Sequence, residues 1–263
     1  MSFLGYAVSV KGASHEQSGL PCQDSARVYI GSDIAIAAVS DGHGSEKHFR
    51  SDAGSDMATR VAIRSIMDFT ERNGGLDKMF RENPEKAARR IAGNMIYCWN
   101  NEIAAHHMYT PFTAQEHEIS RRFGGIPVES VYGATLIVAA VTGRGLFGMQ
   151  IGDGSFAAEE RGKMRFPMPE DERLIGNLTT SLCDNDAIGS FRWFYTAGTF
   201  TSVILSSDGL INSFVSSEDY LHFGRRLASA VADERTHELE EHLAQRSKAG
   251  SRDDISVAVL TKK

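Results

Sequence analysis

The sequence has few cysteines and no long apolar run. Its three cysteines are far apart and form no CxxC pair, so neither a disulfide framework nor a zinc ribbon is indicated; they are Cys22, Cys98 and Cys183. No stretch approaches the roughly eighteen apolar residues of a membrane span. The first residues, MSFLGYAVSVKGASHEQ, lack the charged and apolar regions of a secretory signal. We therefore expect a protein of the reducing cytoplasm with no membrane partner.

An excess of positive charge is also lacking. The formal net charge is −6, and the 263 residues are 41% hydrophobic and 24% charged, which is ordinary for a globular protein. No basic field exists that would hold nucleic acid, so we expect no nucleic-acid partner. The length suits one large or two small domains. We expect a single domain over residues 1–263, because no linker or composition break divides the chain. We also expect a monomer.

The pattern of apolar residues predicts a mixture of strands and helices. Strands are predicted at 5–10, 26–39 (interrupted by a Gly-Ser-Asp turn), 131–141, 145–152, 155–166 and 201–209, with a last strand in DDISVAVLTK. The three strands from 131 to 166 are typical of an antiparallel meander. Helices are predicted at 46–69, 85–106, 217–233 and 235–247. This order fits an α+β fold.

Two segments lack a clear periodicity. Residues 106–127 are polar and contain proline and glycine; their histidines, His106, His107 and His117, belong to no ligand motif and are interpreted as surface or helix-end residues. Residues 167–200 are too long for a simple connector. We interpret them as a flap next to a functional site.

Acidic residues recur at the ends of apolar strands. Asp41 follows IAIAAVS, Asp153 follows LFGMQIG, and Asp208 follows TSVILSS, while Asp253 and Asp254 precede ISVAVL. A single strand-end Asp-Gly is more often a turn than a ligand. Four such contexts in one chain favour a shared metal centre, because clustered carboxylates need protons or cations to neutralise them. Sites built only from oxygen select Mg²⁺ or Mn²⁺.

Other catalytic patterns are missing. The chain has no G-x-S-x-G elbow, no G-x-x-x-x-G-K-[ST] loop and no H-E-x-x-H zinc motif. The GDGS stretch has the glycines of a phosphate-binding loop, but no helix pattern follows it. The acids are therefore the main candidates for the chemistry.

The ordered motifs VSDGHGS, GATLIVAAV, MQIGDGS, LSSDGL and SRDDISVAVL resemble those of the protein phosphatase 2C family of metal-dependent Ser/Thr phosphatases. The amino-terminal GASHEQSGLPCQDS is similar to the variant first motif of a bacterial branch. The resemblance extends over nearly the whole chain, from about Gly5 to Leu260. It implies a four-layer αββα sandwich, in which two antiparallel sheets lie between pairs of helices.

The resemblance also implies a set of metal ligands. Asp41 would bridge two ions, and the Gly42 carbonyl would ligate the second. Asp208 and Asp253 would hold the first ion. Asp153, together with Asp208, would help to bind a third. The implied cofactors are two or three Mn²⁺ or Mg²⁺ ions.

The implied reaction is hydrolysis of a phosphomonoester. A hydroxide that bridges two metal ions would attack the phosphorus in line, while the ions neutralise charge on the phosphoryl oxygens. Asp24 would orient metal-bound water. His43 is the candidate general acid for the leaving alkoxide, although a role as a packed or water-bound histidine remains open.

Three positions depart from the family pattern. His15 stands where the family often has an Arg that clamps the substrate phosphate, so His15 or the nearby Lys11 would bind phosphate without the bidentate fork of Arg. Gln23 replaces a common Glu, and Asp254 replaces a common Asn. These departures affect substrate affinity more than metal binding.

The sequence predicts a protein-serine/threonine phosphatase that depends on Mn²⁺ or Mg²⁺ and acts in signalling. Its expected partner is a phosphorylated protein. Two alternatives remain. One is a regulatory pseudophosphatase that binds a partner, for which the weakened phosphate clamp is the only support. The other is a small-molecule phosphohydrolase on the same fold.

Overall fold

The structure, a computed structural model, describes residues 2–173 and 179–263. Within them, the strands are β1 (Phe3–Val10), β2 (Ser25–Ile30), β3 (Ile34–Ser40), β4 (Leu136–Thr142), β5 (Gly145–Ile151), β6 (Ser155–Glu160), β7 (Lys163–Arg165), β8 (Arg192–Ala197), β9 (Phe200–Ser206) and β10 (Ile255–Lys262). The helices are α1 (Ala13–Ser18), α2 (Ser51–Arg72), α3 (Leu76–Glu82), α4 (Pro84–Tyr109), α5 (Ala114–Arg122), α6 (Val128–Val131), α7 (Ala187–Ser190), α8 (Asp208–Ile211), α9 (Ser217–Ala232) and α10 (Leu239–Ala249). No helix in these two ranges is both long and apolar enough to cross a bilayer.

The strands form two antiparallel sheets. One has the order β1-β10-β9-β6-β7 and the other has the order β2-β3-β4-β5-β8. Three apolar cores separate four layers: one between α2, α4 and the second sheet, one between the two sheets, and one between the first sheet and α9 and α10. The predicted four-layer αββα sandwich is confirmed.

The long helix α4 illustrates how the sequence specifies this packing. Asn83 accepts a hydrogen bond at its side chain from the Lys86 N–H (3.1 Å), and Pro84 occupies the first turn, where its missing N–H costs nothing. Its apolar stripe recurs at helical spacing and is buried, as the sequence predicts; it comprises Ala88, Ala92, Met95, Trp99 and Ile103. The stripe packs on the outer face of the second sheet.

Two strand predictions are wrong in detail. Residues 155–166 are a hairpin of β6 and β7, because Arg161 (φ 51°) and Gly162 (φ 76°) reverse the chain. The strands from 131 to 166 also do not form one meander. β4 pairs with β5, but β6 crosses to the other sheet and pairs with β9. That crossing carries the β5–β6 turn over the end of the sandwich.

The two segments without periodicity contain regular structure. Residues 106–127 include the end of α4 and the short helix α5, none of whose residues is buried. The predicted flap, 167–200, contains α7 and β8, the edge strand beside β5. Residues 174–178 of that flap lie outside the described residues. The 46–69 helix begins later, at Ser51, after a 3₁₀ turn at Glu46–His48.

Candidate metal centre

The strand-end acids meet at one end of the sandwich. Asp41 directly follows β3, Asp153 lies in the β5–β6 turn, Asp208 begins α8 just after β9, and Asp253 precedes β10. All four line one cleft of about 720 Å³. These acids are far apart in the sequence, but the fold brings them together because strands from both sheets end at the same edge.

The turn after β3 is held on both sides. Gly42 is bridged to Ala134, with the His43 N–H donating to the Gly133 carbonyl (3.0 Å) and the Thr135 N–H donating to the Asp41 carbonyl (2.8 Å). The Gly42 N–H donates to the Gln23 carbonyl (3.1 Å). A Cβ at Gly42 would lie 2.5 Å from that same carbonyl oxygen, so only glycine fits there.

The Gly42 carbonyl is left free by this arrangement. Among the hydrogen bonds formed by the described residues, none reaches its oxygen. A buried backbone carbonyl normally has a partner. This oxygen is therefore available as a ligand beside the Asp41 carboxylate.

Burial and mutual repulsion disfavour the charged forms of these acids. The pKa of Asp24 is raised to about 8, first by burial and then by the charges of Asp254 and Asp253, against a hydrogen bond from Ser207. Burial, followed by the charges of Asp24 and Asp208, raises the pKa of Asp41 well above its ordinary value. Such a cluster is stabilised by protons or by cations.

Burial, followed by the charge of Asp153, also raises the pKa of Asp208. The charge of Asp208 also acts on Asp41, and neighbouring carboxylates are not both stable in the charged form without a proton or a cation. The electrostatic conflict therefore extends over the whole cluster, since Asp24 is the first charge acting on Asp41 and Asp153 is the first acting on Asp208.

This donor set fits hard divalent cations. The ligand atoms on offer are carboxylate and carbonyl oxygens, the choice of Mg²⁺ and Mn²⁺. Two further buried oxygens, Asp24 Oδ2 and Gln23 Oε1, have no hydrogen-bond partner within the described part of the chain. Within residues 2–173 and 179–263, no group of three or more acidic, His or Cys side chains is placed so that it could hold a metal ion by itself. Mg²⁺ keeps several waters and needs only one or two carboxylates, so Mg²⁺ ions bound here would have to take carbonyl oxygens and water as further ligands.

His15, predicted to bind phosphate, is engaged elsewhere. Its Nδ1 donates to Asp254 Oδ2 (2.9 Å), and Asp254 is only 3% exposed. The same carboxylate accepts the Gly12 and Gln23 N–H groups, each at 2.6 Å. Asp254 therefore ties the amino-terminal segment to the start of β10, and it brings Asp24 next to Asp253.

His43, the candidate general acid, lines the cleft, and its Nε2 lies 2.7 Å from the Ser181 hydroxyl. Burial, then the charges of His48 and Lys47, lower the pKa of His43 to about 4. Its imidazole is therefore neutral near pH 7 in the absence of a bound anion.

Several cleft residues carry no signal that the sequence reasoning used. Among the described residues that line the cleft, one is a lysine, Lys47. Lys11 and His15 do not line the cleft. Ser181, which contacts His43, lies in the 167–200 segment that has no periodicity. Lys47 could have been found from its position six residues after Asp41, within the same loop.

Comparison with known proteins assigns the family. The model of the protein phosphatase 2C family matches residues 11–245. The chain therefore belongs to the protein phosphatase 2C family. This assignment confirms the resemblance found in the sequence, and with it the prediction of a protein-serine/threonine phosphatase that depends on Mn²⁺ or Mg²⁺.

Solved structures with the same fold come from bacteria among other sources. The serine/threonine phosphatase PstP of Mycobacterium tuberculosis is 18% identical, with a TM-score of 0.58 and 100% of both chains covered; a structure of the PstP catalytic domain contains two manganese ions. PppA of Pseudomonas aeruginosa is 16% identical, with a TM-score of 0.60, and 100% of this chain and 99% of PppA are covered. RsbX in complex with magnesium is 12% identical, with a TM-score of 0.52 and coverage of 99% and 96%. A search of curated proteins found no match.

Proposed function

We propose that the chain hydrolyses phosphoserine or phosphothreonine in a protein, and that the cleft at the end of the two sheets is its active site. One observation carries this proposal: Asp41, Asp153, Asp208 and Asp253, which come from the ends of strands in both sheets, line a single cleft. A phosphomonoester is an anion, so this cleft would bind it only when cations neutralise the carboxylates.

The ligand roles are assigned by the same reasoning. Asp41, the Gly42 carbonyl, Asp208 and Asp253 would hold two divalent ions, and Asp153 would help to hold a third. When bound, the ions supply activation of water at neutral pH and positive charge for the phosphoryl oxygens. Asp24, which accepts a hydrogen bond from Ser207 and has a raised pKa, would orient water at the edge of the site.

His43 is proposed as the general acid, under one condition. At a pKa of about 4 the imidazole is neutral near pH 7 and carries only one ring proton, so it would gain the second, acidic proton only when the phosphate dianion lies beside it and raises that pKa. Its hydrogen bond to Ser181 would keep the ring oriented. The phosphate itself would be bound by a cation; His15 and Lys11 are the candidates from the sequence, and Lys47 is the candidate from the lining of the cleft.

The domain organisation, oligomeric state, location and partners are proposed from the chain as a whole. Residues 1–263 would be one catalytic domain that acts as a monomer in cytoplasmic signalling, with a phosphoprotein as substrate and no nucleic-acid partner. The support is the acidic formal charge of −6 and the continuity of the three cores along the chain.

The activity is tested on a phosphothreonine peptide and on p-nitrophenyl phosphate, with and without Mn²⁺. We expect metal-dependent turnover of both, and a loss of at least about a hundredfold in kcat/KM for Asp41→Asn and for Asp208→Asn. Asp33→Asn, at an exposed loop acid, is the matched control and should behave as the wild type. A wild type that binds Mn²⁺ but shows no turnover above the metal blank would instead support a pseudophosphatase.

A further inference from the structure

The turn 123–127, FGGIP, presents apolar side chains to the cleft. Phe123 is 50% exposed and lines the same cleft as Asp41 and Asp208, together with Ile126 and Pro127. A single exposed apolar residue on a protein surface is ordinary. Two exposed apolar residues, Phe123 and Pro127, beside the half-buried Ile126 on one wall of a site that is otherwise acidic and polar require an explanation.

The turn is rigidly built, so Phe123 is held where it is. Gly124 (φ 78°) and Gly125 (φ 89°) adopt the left-handed conformation that ends α5. Their N–H groups donate to the carbonyls of Arg121 (3.0 Å) and Ser120 (2.9 Å), respectively. The Ile126 N–H donates to the Ser120 hydroxyl (3.0 Å). Pre-organisation of this kind reduces the entropic cost of binding.

The helix that carries the turn is fixed to the loop of the acidic motif. The Arg50 guanidinium, whose side chain is 8% exposed, forms two hydrogen bonds to the Glu116 carboxylate, at 2.6 and 2.9 Å. It also donates to the carbonyls of Thr110 (2.6 Å) and Pro111 (3.1 Å), just before α5. Residue 50 follows Asp41 by nine positions, so one short segment connects Asp41 with the anchor of the apolar wall.

The cleft has more room than a phosphoryl group needs. A volume of about 720 Å³ is in the range of sites for whole ligands, so a substrate bound at the acids would extend along the walls. A peptide continues on both sides of its phosphorylated residue. Its neighbouring side chain would therefore meet the FGGIP turn, where an apolar group buries surface and a charged group loses hydration.

We propose that the FGGIP turn is an apolar subsite, which binds an apolar side chain next to the phosphorylated residue of a phosphopeptide substrate. This inference rests on the proposed function and deepens it, because it names the substrate class that the cleft prefers. Phe123 is the main contact, and Arg50 is a positioning residue that holds the helix on which the turn is built.

The test compares three substrates in the presence of Mn²⁺. Two phosphothreonine peptides differ only in carrying leucine or serine on both sides of the phosphothreonine, and p-nitrophenyl phosphate has no flanking residue. Phe123→Ala should lower kcat/KM for the leucine peptide by about tenfold, mainly through KM, because about half a side chain of apolar contact is lost. The serine peptide and p-nitrophenyl phosphate should be cleaved as before.

Two further variants distinguish the loss of the apolar contact at Phe123 from a general effect of mutation on the fold. Phe123→Leu keeps an apolar side chain and should retain most of the preference for the leucine peptide. Tyr109→Ala, at an aromatic residue that is 81% exposed and does not line the cleft, should change nothing. Equal losses on all three substrates, or no loss with Phe123→Ala, would overturn the subsite. A wild type that cleaves none of the three would overturn the proposed function itself, and the subsite with it.

Discussion

At the scale of single residues, His43 differs from the acids of the cleft, because the role proposed for it is to transfer a proton and not to hold a cation. His43 has its ring nitrogen 2.7 Å from Ser181 and a pKa lowered to about 4, so it is neutral before substrate binds. A general acid matters most when the leaving group is a poor one. The two roles proposed for His43, proton donor and packed histidine, therefore differ in how they depend on the leaving group.

His43→Gln tests that difference. If His43 protonates the leaving alkoxide, the variant should lose about 10²-fold or more in kcat on a phosphothreonine peptide. It should lose much less on p-nitrophenyl phosphate, whose phenolate leaves without a proton. Steady-state kcat on the two substrates is the measurement. Equal losses would assign His43 to positioning Ser181 and the turn, and Ser181→Ala should then reproduce them.

The binding of phosphate also depends on which cationic side chain contacts it. Lys47 lines the cleft, while His15 is bonded to the buried Asp254, and Lys11 lies outside the lining. Lys47→Gln should raise KM for both substrates with little change in kcat, since a surface cation binds ground state and transition state alike. Lys11→Gln is the matched control. A KM that rises with His15→Ala and not with Lys47→Gln would restore the assignment made from the sequence.

At the scale of elements, prediction from sequence worked where apolar residues repeat. The buried stripes of α2 and α4 and the apolar strands before Asp41 and Asp208 could be read directly. Two elements could not be found in this way. β8 is a half-buried edge strand with aromatic residues on both faces, and α5 has no buried residue at all. The one signal for α5 is its capping box, Thr113 with Glu116.

The stability of α5 should therefore depend on Glu116. Glu116→Gln removes the charge that Arg50 pairs with, and the free energy of unfolding should fall by about 2 kcal/mol at neutral pH. The hydrogen bonds from Arg50 lower the pKa of Glu116 from 4.5 to about 2. This stabilisation is present above pH 4.5 and is lost as the pH falls through about 2.

Denaturant unfolding at pH 7 and at low pH measures the effect. The difference between wild type and Glu116→Gln should shrink in acid. Glu118→Gln is the matched control, because within the described residues Glu118 pairs with just the exposed Arg121 one turn away and should contribute almost nothing. Equal effects from both substitutions would show that Arg50 does not anchor the helix.

At the scale of the whole molecule, the candidate metal centre lies across the join of the two sheets. Asp41 belongs to the sheet of β3, while Asp208 and Asp253 belong to the sheet of β9 and β10. Cations at this edge would connect the two halves of the sandwich. Without them, the raised pKa values of Asp24, Asp41 and Asp208 mean that folding brings together charges that repel.

Metal binding should consequently stabilise the fold, most strongly at alkaline pH. In the folded, metal-free protein Asp24 keeps its proton up to about pH 8, against an ordinary pKa of 3.8, so stability falls as the pH rises between these values. Mn²⁺ at about a hundredfold excess over its Kd adds about 2.7 kcal/mol, or about 5 to 10 °C in Tm for a chain of this size.

Thermal unfolding with EDTA and with Mn²⁺, at pH 5 and pH 8, checks this expectation. The Tm in EDTA should be lower at pH 8 than at pH 5, and the gain from Mn²⁺ should be larger at pH 8. The double substitution Asp208→Asn and Asp253→Asn should raise the Tm in EDTA and abolish the response to Mn²⁺. A response to Mn²⁺ that survives this substitution would mean that the ions bind elsewhere.

The position of β10 has a consequence for how the protein is made. β10 is the last strand of the chain, yet it lies between β1 and β9 and pairs with both along its length. Asp253 and Asp254 stand at its start. During synthesis, the early acids leave the ribosome more than 200 residues before the partners that complete their cleft. Until β10 is synthesised, β1 and β9 therefore lack the strand that lies between them, and the cleft lacks Asp253.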